Sequence, residues 1–170
     1  MPNYRRNRVP GGTYFFTVTL RDRRADFLTR HIEILRAAMR RERLRRPFHI
    51  DAWVVLPEHM HRIWTLPEGD VDYPIRWQGI KYGFTMALAA MEHRNGSVWQ
   101  PRYWEDTIRD TRDYAAHMDY VHFNPVKHGY VAHPADWPWS SFRACVTRGL
   151  YSAQWTGEDA TPDQDMGERS

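Results

Sequence analysis

The chain has a single cysteine, Cys145. A lone thiol forms neither an intrachain disulfide nor a multi-cysteine zinc site, so both architectures are excluded. Long apolar runs are missing as well. No stretch approaches membrane-spanning length, and the N-terminal MPNYRRNRVP lacks the apolar centre of a secretory signal. A cytoplasmic protein with no membrane partner is therefore expected. There is no Walker-type glycine loop to cradle a nucleoside triphosphate, and no internal repeat divides the 170 residues into an array.

What is present fits one packed domain, with 42% hydrophobic and 14% aromatic residues and eight tryptophans. Tryptophans serve a core first, and exposed ones offer flat surfaces on which nucleobases stack. The net charge of +3 is unevenly spread. Residues 151–170 hold five acids against one arginine, a net of −4, which leaves +7 on residues 1–150. Arginine dominates that excess, in YRRNR at the start and in a run from Arg36 to Arg46. Such a basic body points to a polyanionic partner, because each neutralised phosphate releases counterions. The division expected is a folded domain over 1–150 and an acidic, mobile tail over 151–170, which could fold back on the basic surface and compete with that partner.

The order of elements reads βαββαβ plus one helix. TYFFTVTL (13–20) is aromatic and β-branched and reads as a strand. From Thr29, placed as an N-cap, Ile32, Leu35, Ala38 and Met39 recur at helical spacing until Pro47. FHIDAWVVL (48–56) and HMHRIWTL (59–66) read as two strands joined by Pro57-Glu58. A second helix runs from about Pro74 to Glu92, with Gly79 and Gly83 leaving room for close helix contact or for a ligand. SVWQPRYWEDTI (97–108) reads as an edge strand, since Pro101 cannot donate to a ladder. A third helix, capped at Asp110 or Thr111, ends where Pro125 forbids further turns. This order predicts an α+β, ferredoxin-like sandwich, with an additional C-terminal helix available for catalysis.

Within EHMHRIW (58–64), alternation along a strand sends His59 and His61 to one face and Met60 to the other, so two imidazoles can share one cation. Nine histidines in this length yield an H-x-H triplet about half a time by chance, so the pair needs support from elsewhere. Tyr120 and Asn124, four apart on the third helix, share a face. A phenol can attack phosphorus and an amide oxygen can ligate a metal; equally, a tyrosine packs and an asparagine ends helices. Lys81 is either a phosphate-holding lysine or a solvated one. Arg62 interrupts the apolar face shared by Met60 and Trp64.

Together NYRR, GGTYFFTV, WVVLPEHMHRIWTLPEGD, WQPRYWEDTIRD, DYVHFNPVKHGYV and DWPWSSF resemble the REP-associated tyrosine transposases, relatives of the single-strand insertion-sequence transposases within the HUH nuclease superfamily. The resemblance spans about residues 3–143. It implies that His59, His61 and Asn124 are metal ligands, with magnesium or manganese as the divalent ion, and that Tyr120 is the nucleophile forming a 5′-phosphotyrosine. It implies single-strand endonuclease and strand-transfer activity on DNA hairpins of repetitive extragenic palindromes, by a monomer or homodimer. Tyr4, Arg5, Arg6 and Lys81 are the expected nucleic-acid contacts. Asp106 departs from the pattern, since relatives often carry histidine after the WE pair. The alternative is a hairpin-binding protein that keeps the fold without turnover.

Overall fold

A computed structural model describes residues 8–158 and 166–168. The elements are β1 (Thr13–Thr19), α1 (Phe27–Arg30), α2 (Ile32–Arg45), β2 (His49–Val55), β3 (His59–Thr65), α3 (Tyr73–Glu92), β4 (Trp104–Thr107), α4 (Thr111–Lys127), a 3₁₀ turn (Pro134–Asp136) and α5 (Phe142–Thr147). The four strands form one antiparallel sheet in the order β2-β3-β1-β4, the ferredoxin-like arrangement expected from βαββαβ.

Alternation along the strands builds two cores. Tyr14, Phe16, Val18, Met60 and Trp64 face α2 and α3, where Leu35, Met39, Trp77, Ile80 and Phe84 close over them. Trp64 stacks on Trp77 with ring centroids 4.4 Å apart. Phe15, Ala52, Val54 and Ile63 face the opposite way and meet Met118, Tyr120 and Val121 of α4. Gly79 allows the close approach of α2 to α3, because a Cβ there would collide with the buried Glu42 carboxylate.

Three local expectations change. Thr29 is not an N-cap: it lies inside the short α1, its hydroxyl donating to the Asp26 carbonyl at 3.3 Å, and α2 starts after a break at His31. The predicted strand over 97–108 shrinks to Trp104–Thr107, with one isolated bridge from Trp99 to Leu20, since Pro101 interrupts the ladder. The third helix runs through Pro125 to Lys127. A proline so near the end forfeits only the bond to the residue 121 carbonyl, and its buried ring holds the last turn in place.

The chain beyond α4 returns to the sheet edge. Ser141 N–H donates to the Trp53 carbonyl at 2.9 Å, while Trp53 N–H donates to Ser141 Oγ, also at 2.9 Å. Tyr151 and Trp155 pack on Phe142, and Met166 is buried in the α4-side core. Where composition alone reads as a free acidic tail, these described residues are docked through aromatic and thioether side chains.

Candidate active site

The centre of the site is one end of β3 beneath α4. His59 and His61 are 1% and 0% exposed, with ring centroids 4.9 Å apart on the same sheet face, as alternation requires. Each ring is oriented from behind. Glu58 accepts a short hydrogen bond from His59 Nδ1, and Arg23 Nε donates to the other Glu58 oxygen at 2.8 Å. Burial works to raise the Glu58 pKa, but His59 and Arg23 outweigh it and the carboxyl stays below its ordinary value. An ionised carboxylate only accepts, so Nδ1 carries the proton and His59 Nε2, buried with no partner among the described residues, presents a lone pair. Thr17 Oγ donates to the Met166 carbonyl at 2.6 Å and therefore accepts from His61 Nδ1 at 2.8 Å, which again leaves Nε2 facing the site.

From α4, Tyr120 and Asn124 converge on the same point, one turn apart. The structure also brings in three residues that sequence reasoning missed. Lys127 Nζ donates to the Tyr120 hydroxyl at 3.1 Å and lies 4.8 Å from its ring centroid. His128 stands edge-on to His59 at 5.1 Å between centroids. Glu168, from the acidic segment, fills the middle. Its Oε1 accepts from Tyr120 OH in a short hydrogen bond and from Asn124 Nδ2 at 2.7 Å, and lies 3.1 Å from His61 Nε2. Its Oε2 takes Lys127 at 3.1 Å and His128 at 3.0 Å. Burial alone would raise the Glu168 pKa, but His128, His61 and Tyr120 together hold it far below the usual carboxylate range. Burial pulls His61 down to about 4 against the opposing influence of the Glu168 carboxylate, so its ring is neutral at neutral pH.

Of the remaining expected contacts, Lys81 lies on α3, across the sheet from Tyr120, and donates to the Gln100 carbonyl at 3.2 Å. Tyr4, Arg5 and Arg6 fall outside the described residues. Asp106 bonds His117 Nε2 at 3.1 Å.

No protein-family model matches the chain. Whole-chain relatives do. A REP-associated tyrosine transposase of Escherichia coli (strain K12) is 52% identical over 169 residues, covering 99% of this chain and 98% of that one. The chain belongs to the REP-associated tyrosine transposases. A further relative from Haemophilus influenzae is 42% identical over 166 residues, covering 92% of this chain and 94% of that one. A solved structure, of a REP-associated tyrosine transposase bound to a REP hairpin, matches with a TM-score of 0.92 and 51% identity, over 100% of this chain and 99% of that chain.

The transposase has a donor set that fits a divalent cation. A neutral His61 protonated on Nδ1 turns its Nε2 lone pair toward the Glu168 carboxylate, so two acceptors face each other at 3.1 Å. A cation between them, or an additional proton, reconciles that geometry. Asn124 Oδ1 and His59 Nε2 are both buried without a hydrogen-bond partner among the described residues. One ligand atom each from His59, His128 and Glu168 also lie within 4.8 Å of one another. The His59 pair with Glu58 is the usual carboxylate-histidine arrangement behind a metal-ligating imidazole. Lys127 and His128 were hidden from sequence reasoning by the expectation that Pro125 ends the helix; the KH pair directly after FNPV was the available signal.

Proposed function

We propose that this transposase cuts and rejoins single-stranded DNA beside hairpins of the repetitive extragenic type, through a covalent link between Tyr120 and a 5′-phosphate. One observation carries the reading: a single carboxylate, that of Glu168, is held at once by Tyr120, Asn124, Lys127 and His128, with His61 Nε2 facing it at 3.1 Å. A phosphodiester presents a comparable pair of anionic oxygens, and groups that converge on one fit the other.

In this reading the Tyr120 oxygen attacks phosphorus, an O–P bond forms, and the bond from phosphorus to the 3′-oxygen breaks, releasing a strand with a 3′-hydroxyl. The phosphotyrosine retains the bond energy, and attack by another 3′-hydroxyl reverses the step on a new strand. Lys127, already 3.1 Å from the phenol oxygen, favours its ionised form and stabilises the charge that develops there. His59, His61 and Asn124 are the ligands assigned to magnesium or manganese, with His128 adjacent. Glu58 and Thr17 hold the two imidazoles in the tautomer that presents Nε2. The bound ion supplies charge neutralisation at the phosphate oxygens.

Residues 1–150 carry this chemistry, with Tyr4, Arg5, Arg6 and Lys81 assigned to DNA contacts beyond the reacting phosphate. The acidic segment acts on them as a plug, because Glu168 and a phosphate claim the same donors.

The test is a covalent adduct. Incubation with a DNA hairpin bearing a single-stranded flank and manganese or magnesium should yield a protein–DNA band that survives denaturation and is absent from Tyr120→Phe. An equal band from that variant refutes Tyr120 as the nucleophile. Hairpin affinity with no adduct under any metal would leave the protein a binder only.

A further inference from the structure

Arg62 sits on the face of β3 opposite the histidines, 5% exposed, with its Nε buried and without a hydrogen-bond partner among the described residues. Among the described residues no carboxylate pairs with its charge. The contrast with the other buried arginine is sharp. Arg76 donates to both Asp70 oxygens at 2.8 and 3.2 Å and to the carbonyls of Arg46, Pro47 and Asp72 at 3.0–3.1 Å. A buried guanidinium nitrogen left without an acceptor is a standing cost, so the fold tolerates at Arg62 Nε what it corrects at Arg76.

The guanidinium lines a groove of about 190 Å³ between α2 and the β2 edge. Across the groove stand Arg36, Arg40 and Arg43, at helical spacing that puts all three on one side of α2. Trp53, directly opposite Arg62 in the β2–β3 register, forms the floor, with Arg62 Cζ 5.2 Å and Arg36 Cζ 5.8 Å from its ring. The nearest acid paired to the set is Glu33, largely exposed and 3.5 Å from Arg36. Arg43 donates to the Phe48 carbonyl at 3.2 Å, and neither it nor Arg40 has a carboxylate partner among the described residues. Four cations thus line a groove with an aromatic floor, one of them buried and with its Nε lacking an acceptor among the described residues.

We infer that this groove binds the phosphodiester backbone of the DNA substrate, as a second contact surface on the sheet face opposite the candidate active site. The inference rests on the reading that the chain acts on DNA, but not on which residue reacts. Arg62 supplies fixed donors to one phosphate, and the arginine row on α2, about 10 Å long from Arg36 to Arg43, spans the neighbouring phosphates. Because His61 and Arg62 are consecutive in one strand, a load on the groove is borne by the segment that carries the metal ligands.

The decisive measurement is equilibrium binding of three fluorescent probes over a range of salt: a hairpin with a single-stranded flank, a plain duplex, and an oligothymidine. The full-length protein is compared with Arg62→Met, at a buried position of β3, and with an Arg36→Gln/Arg40→Gln/Arg43→Gln triple variant on the exposed surface of α2. The triple variant should lower the slope of log affinity against log salt by about 2–3 on double-stranded probes. Arg62→Met should weaken binding roughly tenfold or more, while thermal stability stays level or rises because an unpaired buried charge is gone. Loss on hairpin and duplex places the stem backbone in the groove; equal loss on oligothymidine places the single strand there. Unchanged affinity and slope in both variants overturns the inference, as does an Arg62→Met protein that loses stability with no loss of affinity in the triple variant. Adduct formation on a short single strand, read in parallel, separates failure here from failure of the Tyr120 assignment.

Discussion

The two faces of β3 are alternate residues of one seven-residue strand, yet they solve opposite problems. Met60 and Trp64 face α2 and α3 and disappear into aromatic contacts, Trp64 lying 4.2 Å from Phe48 and 4.4 Å from Trp77 between centroids. His59 and His61 face α4 and are equally buried, but their neighbours are a carboxylate, a phenol and an amide, with acceptor atoms left over. One face maximises apolar burial and fixes the register. The other spends buried volume on polar groups whose geometry suits a phosphate and a cation better than each other. Burial alone therefore does not separate core from site; on the α4 face the buried atoms without partners among the described residues include the acceptors His59 Nε2 and Asn124 Oδ1, whereas on the other face they include N–H donors such as Trp64 Nε1.

That contrast yields its largest effect in a pair of substitutions three residues apart. Trp64→Ala removes a fully buried ring and should cost about 3–5 kcal/mol, a large share of a domain's stability, seen as a much lower Tm. His61→Ala should leave Tm within a few degrees and yet reduce adduct formation by about 10²–10³-fold. If His61→Ala destabilised the fold as Trp64→Ala does, the two faces would not differ in kind. One step back from the proposed ligands, Glu58→Gln should weaken apparent metal affinity by about 10–100-fold, read by titrating manganese in the adduct assay, because the amide no longer fixes the proton on His59 Nδ1.

Much of this was legible in the chain and some was not, for identifiable reasons. Strand alternation placed His59 against His61, and helical spacing placed Tyr120 against Asn124, because both are local consequences of backbone period. Element order gave the ferredoxin-like topology for the same reason. Lys127 and His128 were lost because a proline normally ends a helix, and here α4 carries its last turn past Pro125. Glu168 was lost because net charge describes a segment as solvated and says nothing of one carboxylate finding five partners. Glu58 read as a link between strands, although its neighbour in sequence is the histidine it orients. Arg62 showed only as a flaw in an apolar pattern, with no local rule to say what the flaw serves.

Glu168 sharpens the contrast from the side of regulation, with a smaller effect. The carboxylate blocks the polar face and leaves the aromatic face untouched. Glu168→Ala in the full chain should therefore speed adduct formation; if the plug leaves about one molecule in ten open, the gain is roughly tenfold. Stability should fall at the same time, since the variant strands the Tyr120, Asn124 and Lys127 donors without their shared acceptor. An unchanged rate together with an unchanged Tm would mean that Glu168 does not occupy the site in solution.

The smallest effect concerns Asp106, which belongs to the α4 side but stands outside the reacting groups. Its partner His117 is buried, which by itself lowers an imidazole's pKa; the hydrogen bond to Asp106, followed by contacts with Asp113, more than reverses this and leaves the pKa raised. A pKa higher in the folded than in the unfolded chain contributes stability fully below about 6.5, and that contribution is lost as pH rises through the folded value. Asp106→Asn should thus lower Tm near pH 5.5 by roughly 2–4 °C, the equivalent of about 1 kcal/mol for a half-exposed carboxylate, and by almost nothing near pH 9. Asp113 remains in the variant at 3.3 Å from His117, so the shift shrinks rather than vanishes. Phe15 links this pair to the site, lying 5.0 Å from His117 and 5.4 Å from His61 between centroids. If adduct formation near pH 7 is unchanged in Asp106→Asn while the pH dependence of Tm flattens, Asp106 supports the wall behind the site and takes no part in its chemistry; a rate that falls with Tm intact assigns it a positioning role.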